Sequence, residues 1–300
     1  MLKIDHHRGA TRKTHHKTGS IDAQPRSNLS AMEKYWTKAT DRFHYALFSL
    51  VENEIDLSST VTMVNLVDAT NIDEARRSKG QDAPTYTAIL ALLLAKTLIE
   101  MPQLNVRWYR PFGFLPRRLQ YFTGADIGIA SEVKDPNLHH VAYVAVMPDV
   151  EKMSLSEISA WLKRYRNTES VPQWQAFSGL VRRVPPLLAR VIMRLPVYFP
   201  SMWSRYRGGA ALISSPAKYG VDQIAAAWSS PIGVSFGFVK ARPIVKNGVA
   251  TACPSFYLTL NFDRRILSGA DGARFLKRLT EHLESFGHES DRGLIAREAL

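Results

Sequence analysis

The chain has 300 residues, 45% of them hydrophobic and 22% charged, an ordinary balance for a globular protein. Its net charge of +12 predicts either an anionic partner or a solvated basic surface. The only cysteine, Cys253, excludes an intrachain disulfide and a thiolate zinc site, and favours a reducing, cytoplasmic setting. No apolar run approaches the roughly 20 residues that span a bilayer, and the polar start of the chain predicts no secretory signal.

Residues 1–30 are basic and histidine-rich, with pairs at His6-His7 and His15-His16. Few apolar residues accompany them, so we predict a disordered tail. Metal binding by the two pairs is the alternative. A folded domain is expected at 31–288, with a second tail at 289–300.

The first half of the domain alternates strands and helices. Thr85 to Glu100 is apolar nearly all round, which is typical of a buried helix. The other elements are predicted as a helix at 31–41, strands at 43–51 and 60–67, a helix at 71–79, and strands at 122–130 and 139–144.

Two features in the middle of the chain attract notice. A helix at 155–166 has Ser154 as its expected N-cap and Glu157 three residues later, a capping box. The strand at 139–144 begins with His139 and His140, which could supply a general base or simply be strand-edge histidines.

Residues 167–209, called the insertion from here on, contain a basic amphipathic stretch. A helix is expected to begin at Pro185-Pro186. Its apolar residues and its arginines are predicted to lie on opposite faces: Leu187, Leu188, Val191, Ile192 and Leu195 against Arg183, Arg190 and Arg194. Such a pattern at 182–207 favours docking on an anionic membrane surface or an acidic protein. Equally, the helix could pack on the core with its arginines in solvent.

The C-terminal third predicts a strand at 211–215 that ends in Ser214-Ser215, a strand at 232–239 and a hairpin at Asn247-Gly248. From Phe256 to Phe262 apolar and polar residues alternate, as in a half-buried strand. A turn at 263–269 then leads into a helix whose apolar residues include Ala273, Phe275, Leu276, Leu279 and Leu283. Ser268 and Asp271 have the spacing of an N-cap and its capping partner.

The turn Asp263-Arg264-Arg265-Ile266-Leu267-Ser268-Gly269, called the motif turn below, resembles the Asp-His-Arg-x-x-Asp-Gly signature of the dihydrolipoyl acyltransferases. These are the catalytic subunits of 2-oxo acid dehydrogenase complexes, within the chloramphenicol acetyltransferase-like superfamily. Further matches are Ile127-Gly128-Ile129-Ala130 and Ser214, which stands where the family has its oxyanion-binding serine. The resemblance runs from about Thr60 to Leu283. It implies an α/β two-layer sandwich with a large mixed sheet.

At two positions the chain departs from the signature. Arg264 replaces the catalytic histidine and Ser268 replaces the aspartate. A guanidinium group stays protonated and has no lone pair to accept a proton, so Arg264 cannot serve as the base. The candidate site residues are therefore Ser214, Arg264 and Ser268, with His139 and His140 as alternative bases.

Two functions are compatible with an acyltransferase-like signature that lacks its histidine base. The first is acyl transfer from a coenzyme A or carrier thioester by an atypical, stand-alone member, since residues 1–55 are too few and too basic for a lipoyl domain. The second is a non-catalytic binding or scaffold protein in which Arg264 holds an anionic ligand. The resemblance also implies a homotrimer with its site between subunits. No metal and no nucleic acid is expected, and a membrane-peripheral location is considered.

Overall fold

The computed structural model describes residues 59–113, 115–135, 139–166 and 179–287, and these contain two sheets. The helix and strand predicted at 31–41 and 43–51, together with both tails, lie outside the described residues. In chain order the strands are β1 Thr60–Asp68, β2 Val106–Tyr109, β3 Arg118–Tyr121, β4 Ile127–Asp135, β5 His139–Met147, β6 Ala211–Ser214, β7 Ile232–Phe236, β8 Lys240–Lys246 and β9 Val249–Asp263.

Seven of these strands form one mixed sheet, in the order β1-β9-β7-β6-β4-β5 with β8 also paired to β9. The pairs β4–β6 and β6–β7 are parallel and the others antiparallel. Strands β2 and β3 form a separate hairpin. The large mixed sheet of the predicted α/β sandwich is therefore confirmed.

The α-helices with defined bounds are α1 Thr70–Ser78, α2 Tyr86–Glu100, α3 Leu155–Arg166, α4 Pro186–Tyr198, α5 Pro200–Arg207 and α6 Gly269–Glu284. Residues 179–183 are also helical. Buried residues of α1, α2, α3 and α6 join those of the sheet in one hydrophobic core. Helix α2 is buried on nearly every side, as its sequence predicts. Its N-cap is Thr85, whose hydroxyl accepts a hydrogen bond from the backbone N–H of Ala88 at 3.1 Å.

One strand begins later than predicted. β4 starts at Ile127 rather than Phe122. The backbone N–H of Phe122 donates to the carbonyl of Asn105, and the Asn105 side chain donates to the carbonyls of Phe122 and Gly124. These bonds hold 122–124 in a turn, so the strand can form only beyond it.

Both faces of β9 are buried over its last residues. Phe256, Leu258, Leu260 and Phe262 point into the core, as their alternation predicts. On the opposite face, Thr259 and Asn261 are only 1% and 2% exposed. The prediction of a half-buried strand was wrong, because the chain just before β7 and part of the insertion cover this second face.

The insertion is built around α4 and α5, and α4 begins at Pro186 as predicted. Its packed stripe is Ala189, Met193 and Pro196, whereas Leu187 and Val191 are 71% and 54% exposed. The packed stripe therefore runs beside the predicted apolar face: Ile192 and Leu195 are half-buried, whereas the other three predicted residues are exposed. No helix in the described ranges is long and apolar enough to cross a membrane.

Candidate functional site

Asp263, at the end of β9, fixes the shape of the motif turn. Its carboxylate accepts hydrogen bonds from Arg265 Nε at 2.9 Å and Nη2 at 2.7 Å, and from Trp108 Nε1 at 3.0 Å. The Arg265 guanidinium also stacks 4.7 Å from the centre of the Trp108 ring. Burial raises the pKa of Asp263, but these hydrogen bonds outweigh it and leave the pKa below its ordinary value. The turn is thus held by an ionised, fully engaged carboxylate.

Arg264 has a different environment from its two neighbours. Its backbone N–H donates to the carbonyl of Ser59 at 2.8 Å, which anchors the main chain. Its side chain is exposed and makes no hydrogen bond or ion pair with any residue in the described ranges. Arg264, which the motif resemblance puts where the family has its base, is therefore a solvent-facing cation.

Ser268 is the N-cap of α6, as predicted. Its hydroxyl accepts from the Asp271 N–H at 3.1 Å, and the Asp271 carboxylate accepts from the Ser268 hydroxyl at 2.7 Å and from its backbone N–H at 3.3 Å. The hydrogen bond from the Ser268 hydroxyl, and then one from Arg274, lower the pKa of Asp271. The departure at Ser268 thus has a local structural role in this turn.

Ser214 ends β6, and the strand register separates it from Arg264 within one chain. Ser214 is paired with Ser235, which is paired with Thr259 on β9. Arg264 follows Thr259 by five residues, which corresponds to about 17 Å along the strand. Ser214 is half-buried and makes no side-chain hydrogen bond within the described ranges. One chain therefore does not bring Ser214 and Arg264 into contact.

His139 and His140 lie at the start of β5, where they pair with Asp135 and Lys134 of β4. Ile213, the neighbour of Ser214, pairs with Ile129 of β4, five residues before Lys134. The two histidines are thus displaced along the sheet from Ser214 by more than ten ångströms of strand. Their side chains lie outside the described residues.

A pocket of about 80 Å³ lies beside the motif turn, on the sheet face opposite the core helices. We call it the indole pocket, because three tryptophans line it. Its principal lining residues are Arg107, Trp108, Trp203, Trp228, Asn261 and Arg265. Sequence reasoning missed this pocket. The one available signal was the polar face of β9, which includes Asn261.

Arg107 ties the indole pocket to the insertion. Its guanidinium lies 4.1 Å from the centre of the Trp203 ring, and its Nε donates to Gln120 at 2.8 Å. Its Nη1 donates to the carbonyl of Val197 at 3.3 Å. Arg107 is only 2% exposed, so a buried cation joins β2 to helices α4 and α5. No group of three or more potential metal ligands occurs in the described ranges.

The model of the 2-oxoacid dehydrogenases acyltransferase (catalytic domain) family matches residues 49–170 and 203–288. The chain belongs to this acyltransferase family. The match covers the core sheet, Ser214 and the motif turn, but it omits 171–202, which includes all of α4. Most of the insertion, 171–202, therefore lies outside the family match.

Curated relatives agree with the family assignment. The chain is 22% identical over 218 residues to the dihydrolipoyllysine-residue acetyltransferase component of the pyruvate dehydrogenase complex of Rickettsia bellii. That alignment covers 71% of this chain and 43% of the relative. The same component of Mycoplasma capricolum is 27% identical over 199 residues, and that alignment covers 66% of this chain and 38% of the relative. The chain thus spans less than half the length of these relatives.

Solved acyltransferase structures share the fold. A probable dihydrolipoamide acetyltransferase from Listeria monocytogenes superimposes with a TM-score of 0.61 at 19% identity, over 87% of this chain and 98% of that one. Dihydrolipoamide acetyltransferase (E2p) of Azotobacter vinelandii gives 0.63 at 18% identity, over 92% and 100%. The cubic core of a pyruvate dehydrogenase complex gives a TM-score of 0.62 at 17% identity, over 92% of this chain and 100% of that one. These likenesses establish the sandwich fold.

Proposed function

We propose that this acyltransferase-family chain transfers an acyl group from a coenzyme A or carrier thioester to an acceptor, without a histidine base. The observation that carries the proposal is family membership across the core sheet, with Ser214 at the end of β6, where the resemblance expects the oxyanion-binding serine. A hydroxyl there can donate to the oxyanion that forms when the thioester carbonyl is attacked. One such donor typically contributes about a hundredfold or more in rate.

The site is proposed to form between subunits of a homotrimer. The support is the strand register, which places Ser214 and Arg264 about 17 Å apart along the sheet of one chain. A neighbouring chain could supply the missing half of each site. We expect a trimeric mass by light scattering at micromolar concentration, and a monomeric mass would contradict this arrangement.

Arg264 is proposed to bind an anionic group of the thioester or acceptor. Its exposed guanidinium, with no partner in the described ranges, fits a phosphate or carboxylate. Positioning alone can accelerate a reaction substantially, whereas a missing base costs about a hundredfold to ten-thousandfold. Transfer by this chain is therefore expected to be slow.

A second candidate is a non-catalytic trimer that holds an anionic ligand. The observations that favour it are the exposed Arg264, which the motif resemblance puts in place of the base, and the use of Ser268 as a helix cap. The two candidates share the anion-binding role of Arg264. They differ in whether bound thioester is turned over.

Rebuilding the signature separates the candidates. The double variant Arg264→His, Ser268→Asp restores the residue types of the acyltransferase signature, and an aspartate can still cap α6. In Azotobacter E2p, a histidine and an asparagine four residues apart have been studied for catalytic roles, the spacing of Arg264 and Ser268. A companion variant, Arg264→His with Ser268→Asn, therefore follows that pattern without adding a charge beside Asp271.

The assay is the release of coenzyme A thiol from acetyl-coenzyme A and related thioesters, with dihydrolipoamide as the first acceptor. Slow turnover by the natural chain that rises at least a hundredfold in the double variants would support acyl transfer. Binding without turnover in the natural chain, again with a gain in the variants, would support the non-catalytic candidate. Rapid turnover by the natural chain that Arg264→Ala abolishes without weakening binding would contradict both.

We further propose that the outer face of α4 docks on an anionic lipid surface. Leu187, Leu188 and Val191 are exposed there, and Leu180 just before α4 is 48% exposed. Arg183, before α4, and Arg205, on α5, are exposed and add positive charge to this part of the insertion. Apolar side chains surrounded by basic ones are typical of an interfacial helix.

Sedimentation with vesicles tests this face. We expect binding to vesicles that contain phosphatidylglycerol, weaker binding at high salt, and little binding to phosphatidylcholine alone. Leu187→Ser with Val191→Ser should reduce binding, whereas Val245→Ser, another exposed apolar residue distant in sequence, should not. Absence of binding at low salt, or capture of an acidic protein by the same face, would contradict the lipid assignment.

A further inference from the structure

The indole pocket contains a buried amide that is only partly engaged. The Oδ1 atom of Asn261 accepts a hydrogen bond from the Thr62 hydroxyl at 2.7 Å. Its Nδ2 atom is buried and has no hydrogen-bond partner within the described ranges. Leaving such a donor buried and unpaired costs about 1–3 kcal/mol. An amide in this position therefore has unused capacity to bind a ligand.

A second unpaired donor comes from the chain just before β7. The indole Nε1 of Trp228 is buried and also lacks a partner within those ranges. An indole N–H can only donate. Two orphaned donors on residues that line one pocket point to a missing acceptor rather than to two independent defects.

The sheet register shows that these donors are neighbours. A Cβ atom added to Gly233 would lie 1.9 Å from Cδ1 and 2.5 Å from Nε1 of Trp228, so this edge of the indole rests directly on Gly233. Gly233 is the register partner of Asn261, and paired residues on adjacent strands project to the same face. Both N–H groups therefore belong to one small area of the sheet.

The charges around this area favour an anion. Arg107 and Arg265 contribute two positive charges to the lining, and Asp263 contributes one negative charge. The Asp263 carboxylate is already occupied by Arg265 and Trp108, so it does not offer a strong acceptor to a ligand. The pocket thus presents donors and net positive charge, which complement an acceptor-only group.

We propose that the indole pocket binds a small carboxylate, with Asn261 Nδ2 and Trp228 Nε1 as its hydrogen-bond donors. The pocket volume of about 80 Å³ suits a ligand of a few non-hydrogen atoms, since about 10–15 Å³ on this measure already holds one water molecule. Of the lining residues, Val197 lies outside the family match, whereas both proposed donors lie within it.

Calorimetric titration of the full chain with acetate tests the proposal, in a buffer free of carboxylates and sulfate. Trp228→Phe keeps an aromatic ring over Gly233 but removes the N–H, and should weaken acetate binding about tenfold. Asn261→Asp places a carboxylate at the same point and should abolish binding by repulsion. The quenching of tryptophan fluorescence by acetate should decrease in the same two variants, in parallel with acetate affinity.

Lys277→Ala is the matched control, because it removes one exposed positive charge on α6 and Lys277 does not line the pocket. It should leave acetate affinity unchanged. An acetate dissociation constant weaker than about 100 mM in the natural chain would overturn the pocket proposal. So would unchanged affinity in folded Trp228→Phe, and sulfate binding at least as tight as acetate would overturn the carboxylate assignment. Loss of acetate binding in Arg264→Ala alone would assign the anion to the motif turn instead.

Discussion

The two faces of β9 are both buried, but they are buried by different means. The core face presents Phe256, Leu258, Leu260 and Phe262 to the core helices. The opposite face presents Thr259 and Asn261 beneath the chain before β7, and both have a buried polar atom without a partner within the described ranges. A face that packs by apolar contact serves stability. A buried face with unpaired donors is better suited to binding a ligand.

The largest effect is expected on the core face. Phe262 is 1% exposed and its ring packs against Gly272 of α6. Phe262→Ala should lower the free energy of unfolding by about 3–5 kcal/mol, because a large cavity remains after the ring is removed. Chemical denaturation measures this change. A loss below 1 kcal/mol would mean that the core face is not closely packed.

A glycine on each face gives a matched pair. A Cβ on Gly272 would lie 2.4 Å from Phe262 Cε1, and one on Gly233 would lie 1.9 Å from Trp228 Cδ1. Either change to alanine should destabilise by about 1–3 kcal/mol, because a buried ring must move. For Gly272→Ala in α6, the cost of overcrowding should exceed the roughly 1 kcal/mol by which alanine favours a helix over glycine.

Gly269→Ala is the control for this pair, since no atom lies within 4 Å of its added Cβ. It should be neutral or mildly stabilising in the same denaturation experiment. Only Gly233→Ala should also remove acetate binding. If Gly272→Ala removed it equally, the two faces would not be functionally distinct.

A smaller effect is expected at the end of β9, where Asp263 joins the two faces to the motif turn. Its folded pKa lies below the ordinary 3.8, so its stabilising contribution is present at neutral pH and is lost as the pH falls through the folded pKa. Asp263→Asn should cost about 1–2 kcal/mol at pH 7. The difference from the natural chain should shrink below about pH 4. A difference that is constant from pH 7 to pH 3 would contradict an ionised Asp263.

The smallest change in the free energy of unfolding is expected from two hydroxyl groups on the polar face of the sheet, one without a hydrogen bond and one with. Thr259 has a buried hydroxyl without a partner within the described ranges, whereas its register partner Ser235 donates to the carbonyl of Ile224 at 3.1 Å. Thr259→Val should therefore be neutral or stabilising by less than about 1 kcal/mol. Ser235→Ala should destabilise by about 1 kcal/mol. The reverse order in denaturation curves would show that Thr259 is the engaged hydroxyl.

The strands and helices of the core could be read from the sequence because local patterns determine them. The alternation from Phe256 to Phe262 and the capping pairs at Ser154 and Ser268 report directly on burial and hydrogen bonding. The motif turn was recognisable for the same reason, because its residues are contiguous in the sequence.

The polar face of β9 and the orientation of α4 could not be predicted in this way. What covers Asn261 is chain that is distant in sequence, and the contacts between Arg107 and Trp203 join residues 96 positions apart. On α4, the largest apolar residues predicted a packed face, but Ala189 and Met193 form it. Periodicity shows that a face exists, and only the surrounding structure shows which side is covered.

Within one chain, Ser214 lies level with Thr259 in the sheet, five residues before Arg264. In the proposed trimer, each site is therefore divided between two chains. A Ser214→Ala chain retains the half that an Arg264→Ala chain has lost, and the converse also holds. Random co-assembly of the two would restore roughly a quarter of the sites in a cyclic arrangement. In a cell that carried both alleles, the two lesions would therefore complement each other in part.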